Sequence, residues 1–207
     1  MNEPRYQRRK ADRPQEIVEA AFAAFAEGGY AGTRVEDVAR RAGVSKGLTY
    51  LYFRTKEELF KAVIRNVVSR RVEALIRLVE QTELSSEEFV RGPLLAFMKS
   101  VPGSRIPVVI RLLVAEGARH PDLVDYYWEN VVGPGLAAIR RFVERGVARG
   151  EFRRSAVNDL PQLFLAPVML SMVWKILFPT RALDTDRLME TQLEMLLAYI
   201  GAEKGLV

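Results

Sequence analysis

Apolar residues recur at three- and four-residue spacing along nearly the whole chain, and no stretch alternates apolar with polar residues as a half-buried strand would. The pattern predicts an all-α fold of about nine helices. Asp12, Pro14 and Gln15 supply a cap, a first-turn proline and a capping-box partner. They open a first helix from Arg13 to Glu27, which ends at Gly28-Gly29 and turns Ile17, Ala21, Phe22 and Phe25 to one side. Thr33-Arg34-Val35-Glu36 has the form of a capping box. Val35, Val38, Ala39 and Ala42 follow at helical spacing, and Gly43 stands where a helix end favours a left-handed residue. Ser45 caps a short third helix. Thr55-Lys56-Glu57-Glu58 is a second capping box, and the helix that it opens meets no breaker before about Gln81.

The rest of the chain continues in the same way. A helix starts at Ser85, is interrupted at Gly92-Pro93 and ends near Val101. The next runs from Ile106 to Arg119. Another runs from Pro121 to Arg149, with a kink expected at Gly133-Pro134-Gly135. A helix from Asn158 to Phe178 and a last one from Asp184-Thr185 to Gly201 complete the set. Leu163 to Trp174 holds a single polar residue, Ser171. A helix apolar all round is buried all round, and this one is too short to span a bilayer. One side is expected to face the protein interior and the other a second subunit. The last helix carries an apolar stripe of Leu188, Leu193, Leu196, Leu197 and Ile200. Two such helices from each of two chains would build a four-helix homodimer interface; the alternative is a purely intramolecular core.

Composition narrows the chemistry. The 207 residues are about half apolar, enough for a substantial core. There is no cysteine, so disulfides, thiolate metal sites and thiol catalysis are excluded, in keeping with a cytoplasmic location. Residues 1–12 form a polar, basic arm expected to be disordered and without the apolar core of a secretory signal. Residues 1–56 hold eleven Lys and Arg against seven acids, a balance of +4, whereas the whole chain carries +5. The positive excess therefore sits at the N-terminal end and points to a polyanionic partner there. The one histidine, His120, lies at a proline-flanked helix break, where a capping role outweighs catalysis. No phosphate loop, H-E-x-x-H or G-x-S-x-G occurs. The sequence thus predicts no enzyme, no metal site and no cofactor.

A helix, a glycine turn and a second helix beginning with hydroxylic and basic residues is a helix-turn-helix signature. The runs Gly43-Val44-Ser45-Lys46-Gly47, Tyr50-Leu51-Tyr52-Phe53 and Lys56-Glu57-Glu58-Leu59-Phe60 resemble the DNA-binding segment of TetR/AcrR-type repressors. The likeness reaches upstream through Ile17, Ala20, Ala21, Phe25 and Gly28, so it covers roughly residues 13–61. It implies a basic arm at 1–12, a DNA-binding head at 13–61 and a ligand-binding and dimerisation domain at 62–207. It also implies a contact helix of Ser45, Lys46, Gly47, Leu48, Tyr50, Leu51 and Tyr52. Thr33, Arg34, Thr49 and Lys56 complete the expected DNA-binding set. Lys46 has the chemistry to donate to guanine O6 and N7, or to a phosphate, and Leu48 to touch a thymine methyl. Gly47 permits close backbone approach, and the Tyr50 and Tyr52 hydroxyls suit phosphate oxygens. Thr33 and Lys56 stand at helix N-termini, where a phosphate is favoured. One departure from the family is visible: it places a large aliphatic residue at position 49, where this chain has Thr49 preceded by Leu48. An inward Thr49 would turn Leu48 toward the DNA.

The resemblance further implies a homodimer on a palindromic DNA operator, released by a small, mostly apolar effector. The expected ligand lining is Phe97, Met98, Ile110, Arg111, Val114, Tyr127, Trp128, Phe164, Val168, Met169 and Met172, with Arg111, Glu116, Asn130 or Ser171 as polar anchors. The bland alternative for each is ordinary core packing. A constitutive repressor and a sequence-independent DNA binder remain as alternative functions.

Overall fold

The computed structural model describes residues 5–201, with side chains from residue 13 onward. The helices are α1 (Arg5–Gly32), α2 (Val35–Arg41), α3 (Lys46–Tyr52), α4 (Lys56–Ile64), α5 (Arg70–Gln81), α6 (Ser86–Phe89), α7 (Leu95–Ser100), α8 (Ile106–Glu116), α9 (Pro121–Tyr127), α10 (Gly133–Ala148), α11 (Gln162–Leu177) and α12 (Thr185–Ile200). Three π-helical turns, Arg65–Ser69, Val90–Leu94 and Trp128–Val132, interrupt what the sequence pattern predicts as single helices. Counting each interrupted run once leaves nine helices and no strand among the described residues. Pro93 lies inside the second π-turn, and the third directly precedes Gly133-Pro134, so each sits beside a proline that cannot donate to the ladder.

The predicted caps form with their expected atoms. The Leu48 amide donates to Ser45 Oγ at 3.1 Å, and the Glu58 amide to Thr55 Oγ1 at 3.0 Å. Ser85 and Glu88 bond reciprocally, and the Arg187 amide donates to Asp184 Oδ1 at 3.0 Å. Two expectations at the chain start change. Helix α1 already covers residues 5–12, so Pro14 is internal to it rather than in its first turn. The positions of residues 1–4 lie outside the described residues, as do the side chains of Arg5, Arg8, Arg9 and Lys10.

The described residues fall into two compact units. The first holds the chain up to Ser69 together with Val108–Tyr127. Its core is aromatic: Phe25, Tyr30 and Phe60 meet pairwise with ring centroids 5.3–5.6 Å apart, and His120 meets Tyr30 at 4.9 Å. Edge-to-face contacts of this kind add to area burial. Gly29, at φ 72°, breaks α1 ahead of its last turn and leaves carbonyls short of partners. Thr33 closes part of the gap by donating its hydroxyl toward the Ala24 and Gly29 carbonyls, at 3.1 and 2.7 Å. Lys56 closes the rest. Its ammonium donates to the carbonyls of Tyr30, Ala31 and Thr33 at 2.9, 3.3 and 3.2 Å and lies over the Tyr30 ring. Burial pushes the Lys56 ammonium below its ordinary pKa, with Glu116 opposing. With Thr33 drawn inward, the N-cap of α2 shifts to Arg34, whose amide donates to Asp37. The Thr33–Glu36 box expected from sequence is therefore displaced by one residue. Within the same unit, the Tyr126 hydroxyl accepts from Arg65, and Arg111 donates to the Ala26 carbonyl.

The second unit holds Arg70–Pro107 and the described residues from Trp128 on. Phe142 is its hub, with Phe89, Phe152 and Phe164 around it at 5.0–6.4 Å. Helices α11 and α12 pack on each other. Phe164, Pro167, Val168, Ser171 and Met172 form the buried face of α11. On its other side Met169, Leu170, Val173 and Leu177 stay exposed, as do Met195 and Tyr199 on α12.

Replacing Lys56 with Met keeps the aliphatic stem and removes the donor for three carbonyls. The expected loss is about 1–2 kcal/mol, seen as a melting temperature lower by several degrees. An unchanged melting curve would mean that water caps that corner equally well.

Candidate nucleic-acid interface

The geometry of the α2–α3 pair follows from three local devices. Gly43 takes φ 64°, which turns the chain within a few residues. The Val44 amide then donates back to the Ala39 carbonyl at 3.0 Å, sealing the end of α2. Ser45 starts α3, and Thr49 points into the core with 0% exposure, its hydroxyl donating to the Ser45 carbonyl. Successive helix residues rotate by about 100°. With Thr49 inward, Gly47 and Leu51 lie on the opposite side, flanked by Leu48 and Tyr50. Exposure agrees: Leu51 is 75% exposed and Tyr50 37%, while Leu48 and Tyr52 are half-buried. A Cβ built on Gly47 would meet nothing within 4 Å, so no neighbour demands a glycine there.

Charge is distributed around this face, not on it. Lys46 is exposed at the first position of α3, and its ammonium lies 2.5 Å from Glu36 on α2 and 5.8 Å from the centre of the Tyr50 ring. The hydrogen bond raises the Lys46 pKa and lowers that of Glu36. Arg41 pairs with Glu27 and Arg40 with Asp37, while Arg34 is exposed at the start of α2. A protruding helix with an apolar and glycine outer edge, hydroxyls at its flanks and cations around it suits contact with phosphates and base edges.

Of the ten residues expected to touch DNA, Arg34, Ser45, Lys46, Gly47, Leu48, Tyr50 and Tyr52 lie at this surface. Three do not. Thr49 is core, Thr33 is 4% exposed with its hydroxyl spent on α1, and the Lys56 ammonium is held by three carbonyls. In each case a main-chain oxygen within reach takes the polar group: the Ser45 carbonyl for Thr49, and carbonyls at the end of α1 for Thr33 and Lys56. Sequence reasoning missed the Glu36 partner of Lys46.

The expected ligand lining is divided between the two units. Ile110, Arg111, Val114 and Tyr127 belong to the first unit; the other seven belong to the second. Met98 and Phe164 are 0% exposed, and Ile110, Val168 and Met172 are also core. Phe97 and Tyr127 are half-buried, and burial pushes the Tyr127 hydroxyl up to about 12. Val114, Trp128 and Met169 are exposed at 71%, 55% and 47%. Arg111 is committed to Ala26, Ser171 to the Pro167 carbonyl, and Glu116 stands 3.8 Å from Arg119. The second unit does carry two open clefts. One, of about 290 Å³, is lined by Pro102, Ser171, Trp174, Lys175, Phe178 and Leu183 among others. The other, of about 380 Å³, lies beside Trp128, Leu136, Arg140 and Pro161.

Comparison with known proteins agrees with this geometry. Residues 17–63 match the model of the bacterial regulatory proteins of the tetR family, and residues 90–191 match that of tetracyclin repressor-like C-terminal domains. The HTH-type transcriptional regulator YhgD of Bacillus subtilis is 33% identical over 168 residues, which cover 81% of this chain and 83% of that protein. The HTH-type transcriptional repressor NicS of Pseudomonas putida is 29% identical over 150 residues, 70% of this chain and 68% of NicS. In fold, the chain is similar to FadR from Bacillus subtilis, solved with stearoyl-CoA, with a TM-score of 0.72 at 20% identity over 89% of this chain and 97% of that one. No helix among the described residues is long and apolar enough to cross a membrane. The chain belongs to the tetR family of bacterial regulatory proteins and is a helix-turn-helix, DNA-binding transcriptional regulator.

Proposed function

We propose that the chain is a homodimeric repressor of the cytoplasm that binds a palindromic operator through α3 and is released by a small effector. The observation that carries the DNA reading is the outward edge of α3: an exposed Leu51 and an unobstructed Gly47 ringed by Lys46, Leu48, Tyr50 and Tyr52. Residues 13–61 are the head in this reading and 62–207 the effector and dimer domain, with the basic segment 1–12 on the DNA backbone. Dimerisation uses α11 and α12. Supporting this, Met169, Leu170, Val173 and Leu177 recur at helical spacing on the exposed side of α11, and Met195 and Tyr199 do so on α12. Stripes of this kind are uncommon on monomers. Two-fold symmetry then presents two copies of α3 to successive major grooves, about 34–36 Å apart.

The effector reading is supported by the family and by the ligand held in FadR. The two clefts of the second unit are candidates for its seat, and Trp128, one of the eleven residues picked from sequence, borders the larger of them. An effector acts by binding the DNA-incompetent arrangement more tightly, a coupling typically of about 1–3 kcal/mol. No catalytic step or cofactor enters this reading.

Selection of random duplexes by the purified protein is expected to recover a palindrome. Val173→Asp places a charge in the exposed stripe and is expected to give a folded monomer by light scattering, with operator binding weaker by on the order of 100-fold. A variant that stays dimeric would move the interface elsewhere. Gly47→Ala separates folding from contact. Alanine is the better helix residue, so the melting temperature should hold or rise, by about 0.5–1 kcal/mol of stability. Operator affinity should fall at least tenfold, because the added methyl stands between backbone and bases. Unchanged affinity would remove α3 from the groove.

A further inference from the structure

Leu51 is the most exposed large apolar side chain among the described residues, at 75%. Most of its side chain faces solvent. It lies one helical turn beyond Gly47, and the two stand about 160° around α3 from the buried Thr49. The part of the helix that reaches furthest from the protein thus offers a bare backbone and then an isobutyl group. No hydrogen-bonding side chain stands at that edge. The flank on one side is also apolar, Leu48. The flank on the other is Tyr50, and the one cation of α3, Lys46, is drawn back over the Tyr50 ring by Glu36.

The floor of the major groove offers one apolar group, the C5-methyl of thymine. An exposed leucine gains nothing by facing the polar edges of guanine, cytosine or adenine, but it buries area against that methyl. We infer that Leu51, with Leu48 beside it, makes this regulator a reader of thymine methyl groups: each operator half-site carries thymine where Leu51 lands, and its recognition depends on the methyl and not on O4. The inference rests on the reading of α3 as the base-contacting helix.

The test uses the full-length protein and the duplex recovered from random selection. Each thymine of a half-site is replaced in turn by deoxyuridine, which removes the methyl and keeps every hydrogen-bonding group. Wild-type protein is expected to lose about three- to tenfold in affinity at one or two of these positions, the scale of one or two buried methyl groups. Leu51→Ala is expected to bind the natural operator more weakly and to be indifferent to uridine at those same positions. Because Leu51 is exposed, the variant should keep the wild-type melting curve. Loss of affinity at no uridine, or the same loss in Leu51→Ala as in wild type, overturns the inference while leaving operator binding intact. Failure to select any operator overturns the function proposed above, and this inference with it.

Discussion

The corner between α1 and α2 governs the rest of the head. Gly29 breaks α1, and five main-chain oxygens around the break, those of Ala24, Gly29, Tyr30, Ala31 and Thr33, accept from the side chains of Thr33 and Lys56. A buried carbonyl left unmade costs more than a made one contributes, so the direction of the chain after Gly29 is the one that lets Thr33 and Lys56 reach all five. Lys56 opens α4, so the same bonds tie the start of α4 to the end of α1. The aromatic trio of Phe25, Tyr30 and Phe60 fills the space behind. Helices α2 and α3 are spliced between these two fixed points, with Gly43 as the only sharp bend between them. Their direction is thereby set without a large core of their own.

This division of labour explains the surface of α3. Thr49 supplies its only buried side chain, and the remaining positions are free for contact. The arginines beside it are engaged by carboxylates, Arg41 by Glu27 and Arg40 by Asp37, yet these pairs are exposed. Exposed pairs are weak and screened by salt. They can exchange a carboxylate for a phosphate at little cost, as a protein that must leave its operator requires. The positive excess of the first 56 residues works on approach to the duplex, while fixed geometry works at the base edges.

Most of the fold was legible because helix ends are written in short-range chemistry. Ser45, Thr55, Ser85 and Asp184 cap through atoms three residues away, and Gly43 and Gly150 take the left-handed conformation that their positions suggest. The π-turns were not legible at Arg65–Ser69, where no glycine or proline marks one. Thr33 and Lys56 carry signals for DNA contact, a hydroxyl and a cation at helix starts. Only the three-dimensional demand of the α1 carbonyls turns them inward. An effector lining is hard to read from sequence for a related reason. Apolar spacing identifies which residues are inside a helix bundle, as with Met98 and Phe164. It does not say which of them border empty space, and Trp174 and Phe178 beside the smaller cleft look in sequence like any other core aromatics.

Hydrogen exchange of backbone amides, with and without the selected operator, tests the central claim most directly, because it needs no substitution. Slowed exchange is predicted in Ser45–Tyr52 and at the start of α2, with the amides of α1 behind Gly29 unchanged because their bonds are already made. Protection that appears only outside α2 and α3 would contradict the assignment of α3 as the helix that enters the groove.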